Sequence, residues 1–420
     1  MGNNISRFLS VRFPDNLVTK LVLQYLKNYA IGAGVSGIFS IWNLLIRTYN
    51  IVRKKRKNEE EVDTQTLLTK YIDNAKNTGR FLGSWGVLFE VLLRILHIRQ
   101  KGRPLFTSAI VAGILSGFLA QWQFNGVSWK VSLYCLLRAA LGLYRSANIP
   151  SPEIITVIVY ALINTALGWF FYYAPTYVDK QYGFFVSDLA MTSVKGVDSI
   201  ARHKGPGAPQ CQVEYHKNIQ SCTDAAIQRT VLVFQKTAKL YGSVHLATTL
   251  IKIILTRKLT LKTIKRLITN IIYSTLFLGV QVAVCGPTPC YHKAILPNSH
   301  SKTLMLVPWF LGPISILFEQ ASRRAELSLY CSWRLLTSCI NYASNLQDFY
   351  NERMPPMYTK IISSSAFGIA TGLWLLTKSR NPKSLKKLDQ LILNVIFQDP
   401  NRAIIPKVKP SIMPSLKDSN

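Results

Sequence analysis

Residues 154–173 read IITVIVYALINTALGWFFYY, twenty positions without a charge that close on a run of aromatic side chains. Crossing about 30 Å of hydrocarbon takes a helix of about 20 mostly apolar residues, and a helix pairs every backbone N–H and C=O within itself. The stretch therefore reads as a membrane-spanning helix whose aromatic end sits at the interface. Working outward, further largely apolar runs occupy Tyr29 to Ile46, Phe81 to Ile98, Leu105 to Trp122 and Val127 to Tyr144 on its N-terminal side. On its C-terminal side they occupy Leu240 to Leu255, Ile268 to Cys285, Leu304 to Phe318 and Tyr358 to Leu376. Gly113 and Gly117 in the third run make a G-x-x-x-G face, where small residues let helix backbones approach closely.

Composition agrees with this reading. Of 420 residues, 49% are hydrophobic and 17% charged, with a mean hydropathy of +0.17, which excludes an ordinary soluble protein. The 50 Lys and Arg against 20 Asp and Glu leave a formal charge of +30. A soluble chain with that balance would read as nucleic-acid binding, but here the charges cluster between apolar runs, at 53–57, 99–103, 257–266, 323–324 and 378–387. Membrane loops facing anionic headgroups are charged in this way. No aromatic-basic recognition module or zinc-finger spacing accompanies them, so nucleic acid is not an expected partner.

The two sides of the chain repeat one another. Ser132-Leu133-Tyr134-Cys135-Leu136-Leu137-Arg138 recurs 196 residues on (328 − 132) as Ser328-Leu329-Tyr330-Cys331-Ser332-Trp333-Arg334. Pro152 and Gly168 recur as Pro356 and Gly372, an offset of 204 (356 − 152). The expected fold is thus an all-α polytopic membrane protein of two tandem similar halves, with four to five membrane helices each. The helix carrying Arg138, and its copy carrying Arg334, either spans or lies at the interface. Four spans per half would make the halves parallel, and five would invert them. The expected organisation is an N-terminal segment at 1–28, a first membrane half at 29–173, a linker at 174–210, a second half at 211–376, and a basic, proline-containing tail at 377–420.

Six residues carry metal or disulfide chemistry in principle. Cys211, His216 and Cys222 form one group, and Cys285, Cys290 and His292 another. Thiolate and imidazole are the usual zinc ligands, yet the spacings match no standard zinc ribbon or finger, and Cys285 with Cys290 equally suits a disulfide in an oxidising lumen. Buried structural thiols are the third alternative. Glu90 with Arg94 and Glu319 with Arg323 are ionisable residues in or beside apolar runs. They either mark a functional site or pair one helical turn apart and allow insertion. Met1-Gly2-Asn3-Asn4-Ile5-Ser6 fits the pattern for myristoylation of Gly2, which would add marginal anchoring to a spanning chain. No cleavable signal peptide is expected. No phosphate loop, H-E-x-x-H or G-x-S-x-G pattern occurs, so no enzyme and no cofactor are expected.

Two stretches carry a resemblance. Cys211-x4-His216-x5-Cys222 leads through Lys239-Leu240-Tyr241, Thr256-Arg257-Lys258 and Tyr273 to Phe277, and ends in Pro313 to Glu319 and Ser322-Arg323-Arg324-Ala325-Glu326-Leu327-Ser328-Leu329-Tyr330. In motif and order this resembles the transmembrane protein 135 family, with Glu319, Arg323, Arg324, Tyr330 and Arg334 as its signature. In the first half, Gly83, Trp85, Gly86, Phe89, the basic loop 99–101, Ala112, Gly113 and Gly117 resemble mitochondrial inner-membrane translocase subunits and their peroxisomal relatives.

The resemblances imply a multi-pass protein of the peroxisomal or mitochondrial membrane, linked to organelle organisation, the mitochondrial fission and fusion balance, and lipid metabolism. Expected partners are the lipid bilayer, fission or organelle-biogenesis proteins, and a second copy of the chain. The competing expectation is a carrier or channel for lipids, solutes or polypeptides, with Glu90, Arg94 or Glu319 lining its path.

Overall fold

The computed structural model describes residues 17–54, 64–99, 105–147, 153–190, 222–256, 260–285, 306–348, 354–385, 389–390, 393–394 and 397. Among these residues every regular element is helical. The helices are α1 (Leu17–Lys54), α2 (Thr64–Arg99), α3 (Leu105–Phe124), α4 (Trp129–Ser146), α5 (Glu153–Tyr173), α6 (Lys180–Ala190), α7 (Cys222–Thr256), α8 (Leu261–Cys285), α9 (Leu306–Leu311), α10 (Ala321–Ala343) and α11 (Pro356–Arg380). Three helices among the described residues are long and apolar enough to cross a membrane, over Glu153–Phe171 in α5, Leu261–Cys285 in α8 and Pro356–Arg380 in α11.

The chain folds into two compact units whose boundaries do not follow the sequence halves. One unit comprises 1–149 and 355–420, and the other 150–354. The run that opened the first half's end, α5, packs within the second unit, while α11 packs within the first.

In the first unit α1 lies along α2, α2 on α3, and α11 against both α3 and α4. The α3–α11 crossing is close because small residues meet there. A Cβ on Gly117 would stand 2.7 Å from Thr371 Oγ1 and 3.2 Å from Gly368 Cα, and one on Gly113 would collide with Leu375. Gly368 in turn would drive a Cβ to 2.7 Å from the Ile114 carbonyl. Phe81, Trp85 and Phe89 of α2 fill the core beside Phe367 of α11, with Trp85 and Phe367 edge to face at 4.8 Å between ring centroids. Phe397, beyond α11, returns to pack on Phe89, the tilted rings 4.3 Å apart between centroids. Arg138 of α4 pairs with Asp389 in the same returning segment at 2.8 Å.

In the second unit α7 packs on α8, and α5 packs against α9, the 3₁₀ turn that follows it, and α10. Leu304 to Phe318, expected as a span, is described from Leu306 as the six-residue α9 followed by a 3₁₀ helix over Gly312–Phe318. Pro308, Gly312 and Pro313 explain the difference, since proline removes a ladder hydrogen bond and clashes with the preceding turn. Six α and seven 3₁₀ residues extend about 23 Å, too short for about 30 Å of hydrocarbon and in the range of a re-entrant segment. Gly312 lets this segment approach α8, its Cβ position lying 2.8 Å from Cys285 Sγ and 3.1 Å from the Gln281 carbonyl.

Candidate functional site at the middle of α8

Ser274, Phe277, Gln281 and Cys285 are buried on α8, at the three- and four-residue steps that keep side chains on one face of a helix. The opposite face shows Ile264, Ile268 and Ile272, 41–53% exposed, the pattern of a helix with one side against protein and the other against lipid. Ser274 is the fourteenth of the 25 residues of α8, so it lies about 20 Å from one end and about 17 Å from the other. Whatever it bonds to is held near the middle of a helix long enough to span.

Its partners are ionisable. Ser274 Oγ donates to Glu319 Oε2 at 2.9 Å, and His245 Nε2 of α7 lies 3.1 Å from the same hydroxyl. Arg323 Nη1 donates to Ser274 Oγ at 3.1 Å and to Glu319 Oε1 at 3.0 Å, and lies 3.4 Å from His245 Nε2. The Glu319 side chain is 1% exposed. Tyr241, one turn before His245, stacks on the imidazole at 5.9 Å.

The position of Glu319 follows from a break in the backbone. The 3₁₀ helix ends at Phe318, Glu319 is extended with φ −79 and ψ 152, and α10 begins at Ala321. Such a break exposes the last carbonyls of one helix and the first amides of the next, and at membrane depth these must find partners within the protein. Arg324 supplies them on one side, donating from Nε to the Glu319 carbonyl and from Nη2 to the Leu317 carbonyl, both at 2.9 Å. On the other side the Gln320 amide donates to Glu319 Oε1 at 3.2 Å. Arg324 Nη1 also pairs with Glu153 at the start of α5 at 2.8 Å. The Glu and Arg-Arg of the sequence signature thus build the joint between a short apolar segment and α10.

A second polar group lies two turns along α8. Tyr160 of α5 donates to Gln281 Oε1 at 2.9 Å, Gln281 Nε2 donates to Asn164 Oδ1 at 3.0 Å, and Asn164 Nδ2 donates to the Tyr160 carbonyl at 2.8 Å. Phe277, 2% exposed, separates the two groups. On the other side of Ser274, Gln320 donates to Asn270.

The remaining signature residues make a separate lock. Arg334 Nη1 donates to Asp179 Oδ1 at 2.7 Å, and its guanidinium lies 4.2 Å from the Trp333 ring centroid, 5.0 Å from Tyr330 and 5.6 Å from Tyr182. Asp179 also caps α6, accepting from the Tyr182 amide at 3.0 Å. Burial pushes the Tyr182 hydroxyl well above its ordinary range, a shift that the nearby Arg334 opposes.

The structure brings Glu319, Arg323 and Arg324 into one cluster and Tyr330 and Arg334 into another. Glu90 pairs with Arg94 one turn away at 2.7 Å, both partly buried. The Cys285 thiol donates to the Pro308 carbonyl at 3.4 Å. Cys211, His216, Cys290, His292 and Gly2 lie outside the described residues, and of Cys222 only its place at the start of α7 is described. Among the described residues no three His, Cys, Asp or Glu side chains gather in a metal-binding group. The reading of the sequence missed His245 and Ser274, whose only signal is a polar residue placed inside an apolar run. The Ser274 hydroxyl proton points to the carboxylate and not to the imidazole, so the geometry differs from a nucleophile activated by its base.

Residues 210–339 match the family model described as the N-terminal cysteine-rich region of Transmembrane protein 135. The match spans about a third of the chain and includes α7 to α9 and most of α10, hence His245, Ser274, Glu319 and Arg323. No curated protein and no solved structure matches the chain. The likeness of the first half to translocase subunits finds no support in these comparisons.

Proposed function

We propose that this chain, a membrane protein whose residues 210–339 carry the cysteine-rich region of Transmembrane protein 135, is a non-enzymatic component of the peroxisomal or mitochondrial membrane that works in organelle organisation, the fission and fusion balance and lipid metabolism. The family match carries the reading, with the three apolar helices as its physical context. Basic stretches such as 53–57 and 257–266 are those through which it would meet anionic headgroups and partner proteins. The test is fluorescence localisation of the tagged full chain against peroxisomal and mitochondrial markers, with organelle counts in a deletion strain. Signal at either organelle with altered number or shape is expected. Endoplasmic-reticulum or plasma-membrane signal with normal organelles would overturn the reading.

The two tandem halves of four to five membrane helices each belong to the same proposal. What supports them is matched packing: α1–α2, α2–α3 and α3–α11 in one unit parallel α7–α8, α8 with the α9 segment, and that segment with α5 in the other. Arg138 and Arg334, at equivalent places in the repeat, each reach an aspartate that follows the exchanged helix, Asp389 and Asp179.

One observation favours a second reading, a carrier or channel for lipids, solutes or polypeptides. Glu319 is buried and hydrogen-bonded to the middle of an apolar helix, and an ionisable residue at that depth is a functional site by default. Flux through the purified protein in vesicles, lost in Glu319→Gln, is its test.

A further inference from the structure

We infer that His245, Ser274 and Glu319 form a proton-binding relay near the middle of α8. The inference deepens the carrier reading by naming the ion that the site takes up. Hydrogen-bond direction supplies the first step. Ser274 has one proton and gives it to Glu319 Oε2, which leaves its oxygen to accept from Arg323 Nη1 and, in the tautomer with hydrogen on Nε2, from His245. The chain Nε2–H···Oγ–H···Oε2 is continuous over three elements.

The transfer balances. A proton taken up at His245 Nδ1 makes the imidazolium; its Nε2–H bond then breaks as a new Ser274 O–H bond forms, the original Ser274 O–H bond breaks, and the proton ends on Glu319 Oε2, leaving a neutral imidazole with its hydrogen on Nδ1. Each step moves a proton along a bond already made, and the serine is unchanged in composition at the end. The product state is also accommodated, because a bare Nε2 accepts from Arg323 Nη1, 3.4 Å away. With a neutral imidazole, Glu319 and Arg323 cancel, and taking up one proton raises the cluster to a single positive charge. Arg324 does not alter this sum, since Glu153 neutralises it. The groups facing the relay are Tyr241 and His245 from α7, Asn270 and Ser274 from α8, and Gln320, Arg323 and Arg324 from the joint and α10.

A static ion pair one turn apart would need neither the serine nor the histidine. Their presence connects a carboxylate that is 1% exposed to a ring on another helix. Asn270 on one side, and Gln281 with Tyr160 and Asn164 on the other, continue hydrogen-bonding groups along the inner face of α8, with Phe277 as the apolar interruption.

The experiment is infrared difference spectroscopy on the full chain in phosphatidylcholine vesicles, between about pH 8 and about pH 5, where histidine titrates. A carboxylic-acid carbonyl band is expected on acidification, absent in Glu319→Gln and retained in Glu90→Gln. Ser274→Ala keeps the ion pair and interrupts the chain, so the midpoint of the band should move by about one unit or more, as it should in His245→Gln. Helical circular dichroism and melting confirm that each variant is folded, and Ser274→Ala decides the matter if Glu319→Gln is not. No band in the wild type, a band that Glu319→Gln leaves in place, or a midpoint indifferent to Ser274→Ala and His245→Gln would overturn the relay. A band without flux of any cargo would overturn the carrier reading alone.

Discussion

Replacing Asp179 by asparagine asks what holds α10 to the connection between α5 and α6. The Asp179 and Arg334 side chains are 5% and 11% exposed, so the substitution leaves a buried guanidinium without its counter-charge. Removing one partner of a buried pair costs about 3–5 kcal/mol. Two features of the site lower that figure for asparagine: its side-chain oxygen still accepts from the Tyr182 amide, preserving the α6 cap, and the three rings around Arg334 keep attracting its charge at about 0.5–1 kcal/mol or more each. Asp179→Asn should therefore cost about 2–3 kcal/mol. Asp179→Ala should cost about 1 kcal/mol more, because the cap is lost as well. In a unit of this size each kcal/mol moves the melting temperature by about 2–4 °C, so thermal unfolding in detergent should fall by about 4–12 °C for asparagine and further for alanine. Arg334→Met combined with Asp179→Asn removes the stranded charge, and its cost should lie below the sum of the two single substitutions by at least about 1 kcal/mol. Strict additivity, or an asparagine variant as stable as the parent, would refute the argument that the pair is buried and mutually dependent.

Gly117→Val should destabilise the first unit by about 1–3 kcal/mol, the ordinary cost of overpacking, read as a lower midpoint of thermal unfolding. Phe397→Ala should cost about 3–5 kcal/mol if the returning segment seals the core beside Phe89 and Trp85, and deletion of residues 386–420 should have at least that effect. In a background with Cys211, Cys222 and Cys290 replaced, a maleimide should label the exposed Cys339 and spare the buried Cys285 and Cys331, as mass spectrometry of the native and unfolded protein would show. Labelling of Cys285 at the rate seen in the unfolded chain would mean that the α8–α9 contact is open.

Legibility in the sequence followed the range of the interactions. Apolar runs such as 154–173 identified α5, α8 and α11, because a long apolar stretch is a local property. The Glu90–Arg94 and Glu319–Arg323 pairs were legible for the same reason, being four residues apart. Arg138 and Arg334 left their helices ambiguous, since their aspartates stand 251 and 155 residues away and no window joins them. His245 and Ser274 escaped notice because each is one polar residue in an apolar run, and only the fold sets them around Glu319. The short α9 segment was misread as a span because mean apolarity outweighed the two prolines that interrupt its ladder. The exchange of α5 and α11 between the units left no trace in either helix, since their inward faces suit similar partners.

That exchange has a bearing on the order in which the protein is made. The second unit is continuous from 150 to 354, so all its helices leave the ribosome in one uninterrupted series. The first unit cannot close on that schedule: α1 to α4 are synthesised first, yet the groove beside Gly113 and Gly117 stays open until α11 emerges, after the whole of the other unit. Synthesis halted between 354 and 380 would leave a finished second unit joined to an unfinished first one. The oldest part of the chain is thus the last to mature, and a quality-control protease or a holding chaperone would find its substrate there.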